Sequence, residues 1–205
     1  MACNSTVHVI DDDPALRDSL DFLLASAGFS VKLFESGEAF LETLPSLSGG
    51  CVVTDVRMQG VDGIELVRRL RQTHQAMPVI VITGHGDVPL AVKAMKLGAT
   101  DFMEKPFDGE ALVAAVRSAV ALDAPSRPAN CASDELTARL ASLSQRESQV
   151  LHGLMNGHTN KEIARQFDLS PRTVEVYRAK LMTKMEAGSI SELVRLAIKA
   201  GISGV

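Results

Sequence analysis

Three runs of apolar, mostly β-branched residues restrict this chain more than any other feature of its sequence: VHVI (Val7–Ile10), CVVT (Cys51–Thr54) and VIVIT (Val79–Thr83). They are too apolar for either face of such a strand to meet water. A strand buried on both faces belongs to a parallel sheet covered by helices. The intervening segments have helical periods. Asp13 is placed to cap a helix with Pro14 in its first turn, Leu16, Leu20, Leu23 and Leu24 form its apolar stripe, and Gly28 ends it. Phe29–Phe34 reads as a second strand, and Ser36 caps a helix over Gly37–Leu44. Ile64–Arg71 and Val88–Leu97 are helical, Asp101–Glu104 is a short strand, and Ala111–Leu122 is the last helix of the series.

The rhythm then stops. DAPSRPANCAS (residues 123–133) has two prolines and no period, as linkers do. Everything after it reads as helix: Ser133 capping Asp134–Ser142, Ser144 with Glu147 as a capping box on Gln145–Met155, then Asn160–Phe167, Pro171–Met185 and Ile190–Ala200. The expected domains are therefore residues 1–122, a linker over 123–133, and residues 134–205. Charge divides the same way. Residues 1–122 hold 10 basic and 16 acidic residues, net −6, and residues 134–205 hold 10 and 8, net +2. Different partners are expected for the two halves. No apolar run nears the ~18 residues that span a membrane, and the start shows no basic-then-apolar leader. Three scattered cysteines and five scattered histidines suggest neither disulfides nor zinc, and a cytoplasmic protein is expected.

Strand ends are where open α/β sheets gather ligands. Here they carry Asp11 and Asp12, Asp55, Thr83 and Lys105. Adjacent carboxylates repel, and a divalent cation such as Mg²⁺ among them would relieve that repulsion while keeping several waters. Asp55, ending the central strand, is the best placed to act as a covalent phosphoryl acceptor. The Lys105 ammonium and Thr83 hydroxyl would meet phosphoryl oxygens, and Lys105-Pro106 is a candidate cis bond. TGHGD (Thr83–Asp87) is read as a tight turn, since no Walker GK[ST] follows.

The motifs VIDDD, VVTDVRM, DGIEL, VIVITGHGD, AVKAMKLGATDF and EKPF, in this order over residues 7–107, resemble a response-regulator receiver domain. The resemblance implies a flavodoxin-like α/β fold with a doubly wound, parallel, five-stranded sheet in the order 2-1-3-4-5. It implies Asp11 and Asp12 as metal-binding acids, Asp55 as phosphoacceptor and a further metal ligand, and the Arg57 carbonyl as another. Thr83 and Lys105 would sense the phosphoryl group, with Phe102 as a switch aromatic. One departure is Met58-Gln59, where the family usually has Met-Pro, which puts the rigidity of that loop in question. A Mg²⁺-dependent phosphatase would instead need a second aspartate two residues after Asp55, where Arg57 stands, so no enzyme activity is expected.

In the basic half, Asn160–Phe167, the turn Asp168–Ser170 and Pro171–Met185 have the pattern of a helix-turn-helix. Val174, Tyr177, Leu181 and Met185 share one helical face. Arg172, Val176 and Ala179 lie opposite, flanked by Glu175 and Lys180, a face suited to a major groove. Lys161, Arg172, Arg178, Lys180 and Lys184 are candidate phosphate contacts. LSQRE, NKEIA and SPRTVEVYRAKLMTKM resemble the all-α, four-helix LuxR/NarL-type DNA-binding domain, and both halves together resemble the FixJ family. That resemblance implies base contacts at Glu175, Val176 and Ala179. It also implies a sensor histidine kinase, promoter DNA and RNA polymerase as partners, and dimerisation on phosphorylation through the receiver face formed by Val88–Leu97, Asp101–Glu104 and Ala111–Leu122, on which Lys93, Lys96, Asp101 and Arg117 are the expected complementary charges. Its implied role is the activation of nitrogen-fixation genes under low oxygen.

Overall fold

The computed structural model describes residues 5–47, 49–73, 77–84, 88–122 and 132–202. They divide into two compact units, one within residues 1–85 and 97–125, the other within 86–96 and 126–205. Strands β1 (Thr6–Ile10), β2 (Ser30–Phe34), β3 (Cys51–Asp55), β4 (Val79–Thr83) and β5 (Asp101–Glu104) form one parallel sheet in the order β2-β1-β3-β4-β5. The expected order is met, and every residue of β3 and β4 is buried. Register pairs Ile10 with Thr54 and Asp55 with Ile82.

Helices α1 (Pro14–Ser26), α2 (Gly37–Thr43), α3 (Gly63–Gln72), α4 (Val88–Lys96) and α5 (Gly109–Leu122) follow the strands in turn, with a 3₁₀ turn at Leu44–Ser46. One sheet face carries Val7, Val9, Cys51, Val53, Ile80 and Ile82, packed on Leu20 and Leu24 of α1 and Leu112 and Val116 of α5. The alternate residues of β1 meet the other side, where the His8 ring lies 5.7 Å from Phe40 of α2. Asp13 caps α1 through the Ala15 amide, with Pro14 at the first position.

The second unit contains α6 (Ala132–Ala141), α7 (Gln145–Met155), α8 (Asn160–Gln166), α9 (Pro171–Met185) and α10 (Ile190–Lys199). The capping box of α7 is as expected, and α8 has another, from Thr159 and Glu162. One correction concerns α6. It begins at Ala132, one residue before the proposed cap, so Ser133 lies inside the helix, alanine being the stronger helix former of the two. Cys3, Cys131, residues 123–131 of the expected linker and the expected turn at His85–Asp87 lie outside the described residues. Between α8 and α9, Asp168 takes φ +52°, a left-handed conformation that aspartate tolerates, and the Leu169 amide donates to Ala164.

Candidate functional site

The acid site sits at the carboxyl ends of β1 and β3. Asp11 follows Ile10 and Asp55 follows Thr54, so the pairing of those strands sets the two carboxylates side by side. Both are buried, at 2% and 8% exposure. The Lys105 ammonium bridges them, 2.7 Å from Asp55 Oδ1 and 3.4 Å from Asp11 Oδ2. One hydrogen bond ties this lysine to the end of β4, its amide donating to the Thr83 carbonyl at 2.7 Å. Its bond to Pro106 is cis, as expected. Burial raises the Asp11 carboxyl above its ordinary range, outweighing the Asp13 amide and Lys105. Burial pulls the Lys105 ammonium down, but the hydrogen bond to Asp55 and the charges of both acids leave it raised. Two carboxylates against one ammonium leave a net negative charge in a partly desolvated place.

Thr83 is buried at the end of β4, and Phe102 of β5, paired in register with Val81 of β4, is buried at 8% exposure. The Arg57 amide donates to Asp55 Oδ2 at 2.9 Å, which folds the following loop over the acid. Asp12 does not join the cluster: it is exposed. Among the described residues no three acid, histidine or cysteine side chains converge as a metal set. Of the expected trio of Asp11, Asp12 and Asp55, two carboxylates are buried in the site, and Asp12, the next residue after Asp11, is exposed. The donor set fits Mg²⁺ all the same. Hard oxygens with an uncompensated negative charge suit an ion that binds through one or two carboxylates and retains water. Asp11, Asp55 and the Arg57 carbonyl are the residues that would hold it.

Two site features had no signature in sequence. Arg17 of α1 donates to the Asp11 carbonyl at 2.6 Å. Glu38 of α2 accepts the Val61 amide at 2.7 Å, across 23 residues.

In the helical unit, α9 turns Val174, Leu181 and Met185 into the core and leaves Arg172, Glu175, Ala179 and Lys180 exposed. Val176, at 49% exposure, is a large apolar residue on the outer face. Lys161 is exposed on α8, and Arg178, half-buried, lines a shallow groove of about 400 Å³ with Asn160, Glu175, Ala179, Met182 and Ile190. Lys180 lies 5.8 Å from the Tyr177 ring. Lys184 is a correction. Its ammonium is bound inward, 2.7 Å from the buried Glu147 and 3.1 Å from the Ser142 carbonyl, so it locks α9 to α7 rather than facing a phosphate. Its position one turn beyond Lys180 gave no warning of this, because Glu147 is 37 residues away.

An acid-and-lysine site at the mouth of a 2-1-3-4-5 sheet, followed by a helix-turn-helix unit, defines a DNA-binding response regulator. The family description "Response regulator receiver domain" matches residues 7–117, and "Bacterial regulatory proteins, luxR family" matches residues 141–197, the span of α7–α10. The chain belongs to the two-component response regulators that carry a receiver and a LuxR-type domain, and it is a FixJ homologue. It is 56% identical to the transcriptional regulatory protein FixJ of Bradyrhizobium diazoefficiens over 98% of each chain. It is 48% identical to FixJ of Rhizobium meliloti over 96% of each. The crystal structure of full-length FixJ from B. japonicum matches with a TM-score of 0.58 at 57% identity, covering 97% of this chain and 98% of the other. Among the described residues no helix is long and apolar enough to cross a membrane.

Proposed function

We propose that this protein is a cytoplasmic transcription activator switched by phosphorylation of Asp55, itself not an enzyme. A sensor histidine kinase supplies the phosphoryl group. An Asp55 carboxylate oxygen attacks the phosphorus, the bond from phosphorus to the kinase's histidine nitrogen breaks and the imidazole leaves, Lys105 neutralises the developing charge, and Thr83 and Phe102 register the modified state. Mg²⁺, held by Asp11, Asp55 and the Arg57 carbonyl with Asp12 nearby, would supply charge neutralisation. The observation that carries this reading is the Lys105 ammonium on both Asp55 and Asp11. The arrangement delivers positive charge to the atom that would be modified, and water has limited access to it.

Residues 1–122 act as the receiver, 123–133 as the linker and 134–205 as the DNA-binding domain. Phosphorylation shifts a two-state equilibrium only by its differential stabilisation of the active state. That state dimerises, and two copies on adjacent half-sites gain effective concentration. Of the charges expected on the dimer face, Arg117 instead donates to the Ala27 carbonyl at the end of α1, at 3.3 Å, and is not assigned there. Base contacts fall to Arg172, Glu175, Val176 and Ala179, and phosphate contacts to Lys161, Arg178 and Lys180. The bound dimer recruits RNA polymerase. Similarity to FixJ supports nitrogen-fixation genes, under low oxygen, as the regulated set. The test is uptake of label from a small phosphodonor with and without Mg²⁺, followed by gel filtration with beryllofluoride. Wild type should take up phosphate only with Mg²⁺ and elute as a dimer, and Asp55→Asn should do neither. Label on Asp55→Asn at the wild-type level would refute the assignment.

A further inference from the structure

The loop between β3 and α3 begins at Val56, beside the acid site, and runs to Asp62 without regular structure. Gly60 within it takes φ +75°, a left-handed conformation that glycine adopts without a Cβ penalty. Its ties include the Arg57 amide on Asp55, the Val56 amide on the Ile82 carbonyl and the Gly63 amide on the Val56 carbonyl, at 2.9, 2.8 and 3.0 Å. A tie from a separate element comes from Glu38, on the first turn of α2, whose Oε1 accepts the Val61 amide at 2.7 Å. Two glycines shape the seat for that carboxylate. A Cβ at Gly60 would overlap Glu38 Oε1, and a Cβ at Gly37 would lie 2.6 Å from the Val61 carbonyl. Both positions therefore lack the atom that would push α2 and the loop apart.

We propose that Glu38 is a positioning residue for the acid site, holding Val61 so that the Arg57 carbonyl stays aimed at the cation. A charged acceptor on a backbone amide is a strong, directional bond. It fixes the far end of the loop while the Arg57 amide fixes the near end, and Arg57 and Met58 lie between the two. This assignment rests on the cation site described under the proposed function, and it adds a residue from an element that contributes no ligand. It also supplies the rigidity that Gln59 cannot, at a position where the family usually has proline.

The test uses the full-length protein and three variants, Glu38→Ala, Glu38→Gln and Glu38→Ala/Gln59→Pro. Amide hydrogen exchange is read at Arg57, Met58 and Val61, and Mg²⁺ binding by calorimetric titration with MgCl₂. Glu38→Ala should speed exchange at Arg57 and Met58 as well as Val61, and weaken Mg²⁺ binding by roughly five- to tenfold, less than the full worth of a charge-assisted hydrogen bond because the bond acts on the cation only through the loop. Glu38→Gln keeps an acceptor oxygen and should stay within about twofold of wild type. Adding Gln59→Pro, which fixes one backbone dihedral of the loop, should restore most of the affinity lost by Glu38→Ala. Faster exchange confined to Val61, a glutamine variant as weak as alanine, or no recovery with proline would each overturn the proposal. A wild-type protein that takes up no Mg²⁺ would remove the cation site itself, while exchange at Arg57 would still decide whether Glu38 holds the loop.

Discussion

Lys184→Met leaves the carboxylate of Glu147 without its cation, and the cost follows from the surroundings. Glu147's side chain is 5% exposed and Lys184's is 39% exposed. Breaking a fully buried pair costs about 3–5 kcal/mol. The lysine is open enough for solvent to screen the interaction, and the carboxylate keeps the Ser144 amide at 2.7 Å. These reduce the loss to about 1–2 kcal/mol. For a unit of this size that lowers the melting midpoint by roughly 5–15 °C. The chain has one tyrosine and no tryptophan. Tyr177 lies on α9, so its fluorescence reports the melting of the helical unit in the intact protein. Acid supplies a second arm. The hydrogen bond from Lys184, then that from the Ser144 amide, holds the Glu147 carboxyl at about 2, against an ordinary 4.5. A carboxyl depressed in the folded state stabilises above its unfolded value, and that stability is lost as pH falls from about 4.5 towards about 2. The loss should be smaller in Lys184→Met. A variant that melts within about 1 °C of wild type, or loses stability to acid just as wild type does, would refute the reasoning.

Three further outcomes are expected. Lys180→Ala should weaken binding to all DNA sequences alike and reduce the slope of log affinity against log salt by roughly 1. Glu175→Ala should change base preference in a binding-site selection and leave the salt slope in place, because its acceptor oxygens suit an exocyclic amino group rather than a phosphate. Burial holds His8 below its ordinary 6.5, with its Nε2 on the Gly49 carbonyl at 3.0 Å and, among the described residues, no hydrogen-bond partner for Nδ1. The unfolded chain therefore binds a proton that the folded one refuses, and stability should fall as pH drops below about 6.5. Urea unfolding of wild type and His8→Phe, followed by circular dichroism at pH 7 and about pH 5, checks this, and the variant should show the smaller drop.

Much of the fold lay open in the sequence because its signals are local. The unbroken apolar run VIVIT placed β4 at the observed ends, the short segment before Lys105-Pro106 placed β5, and Ser144 with Glu147 and Ser170 with Pro171 placed α7 and α9. Asp11, Asp55 and Lys105 were legible because strand ends converge once a parallel sheet is granted. The exposure of Asp12 was not legible, since sequence adjacency to the buried Asp11 says nothing about direction once the strand has ended. Glu38 and the inward turn of Lys184 were hidden because each depends on a partner 23 or 37 residues away, with no periodicity to connect them. Helix patterning placed Lys184 near the outer face, and the buried Glu147 drew it aside.

The pairing of Ile10 with Thr54 has a consequence for how this chain tolerates changes of length. Asp11 and Asp55 reach each other through neighbouring strands rather than through loops. Side chains alternate between faces at each residue, so one residue inserted into β3 before Asp55 turns its carboxylate to the opposite side of the sheet. A deletion there does the same. Residues added between α2 and β3 leave the pairing intact and cost only the slow growth of loop entropy. Insertion scanning across residues 44–56 should therefore meet an abrupt boundary at Cys51, permissive before it and intolerant from there to Asp55. The chemistry of the site is then inherited as a count of residues along two strands, and the sheet allows no fractional adjustment of that count.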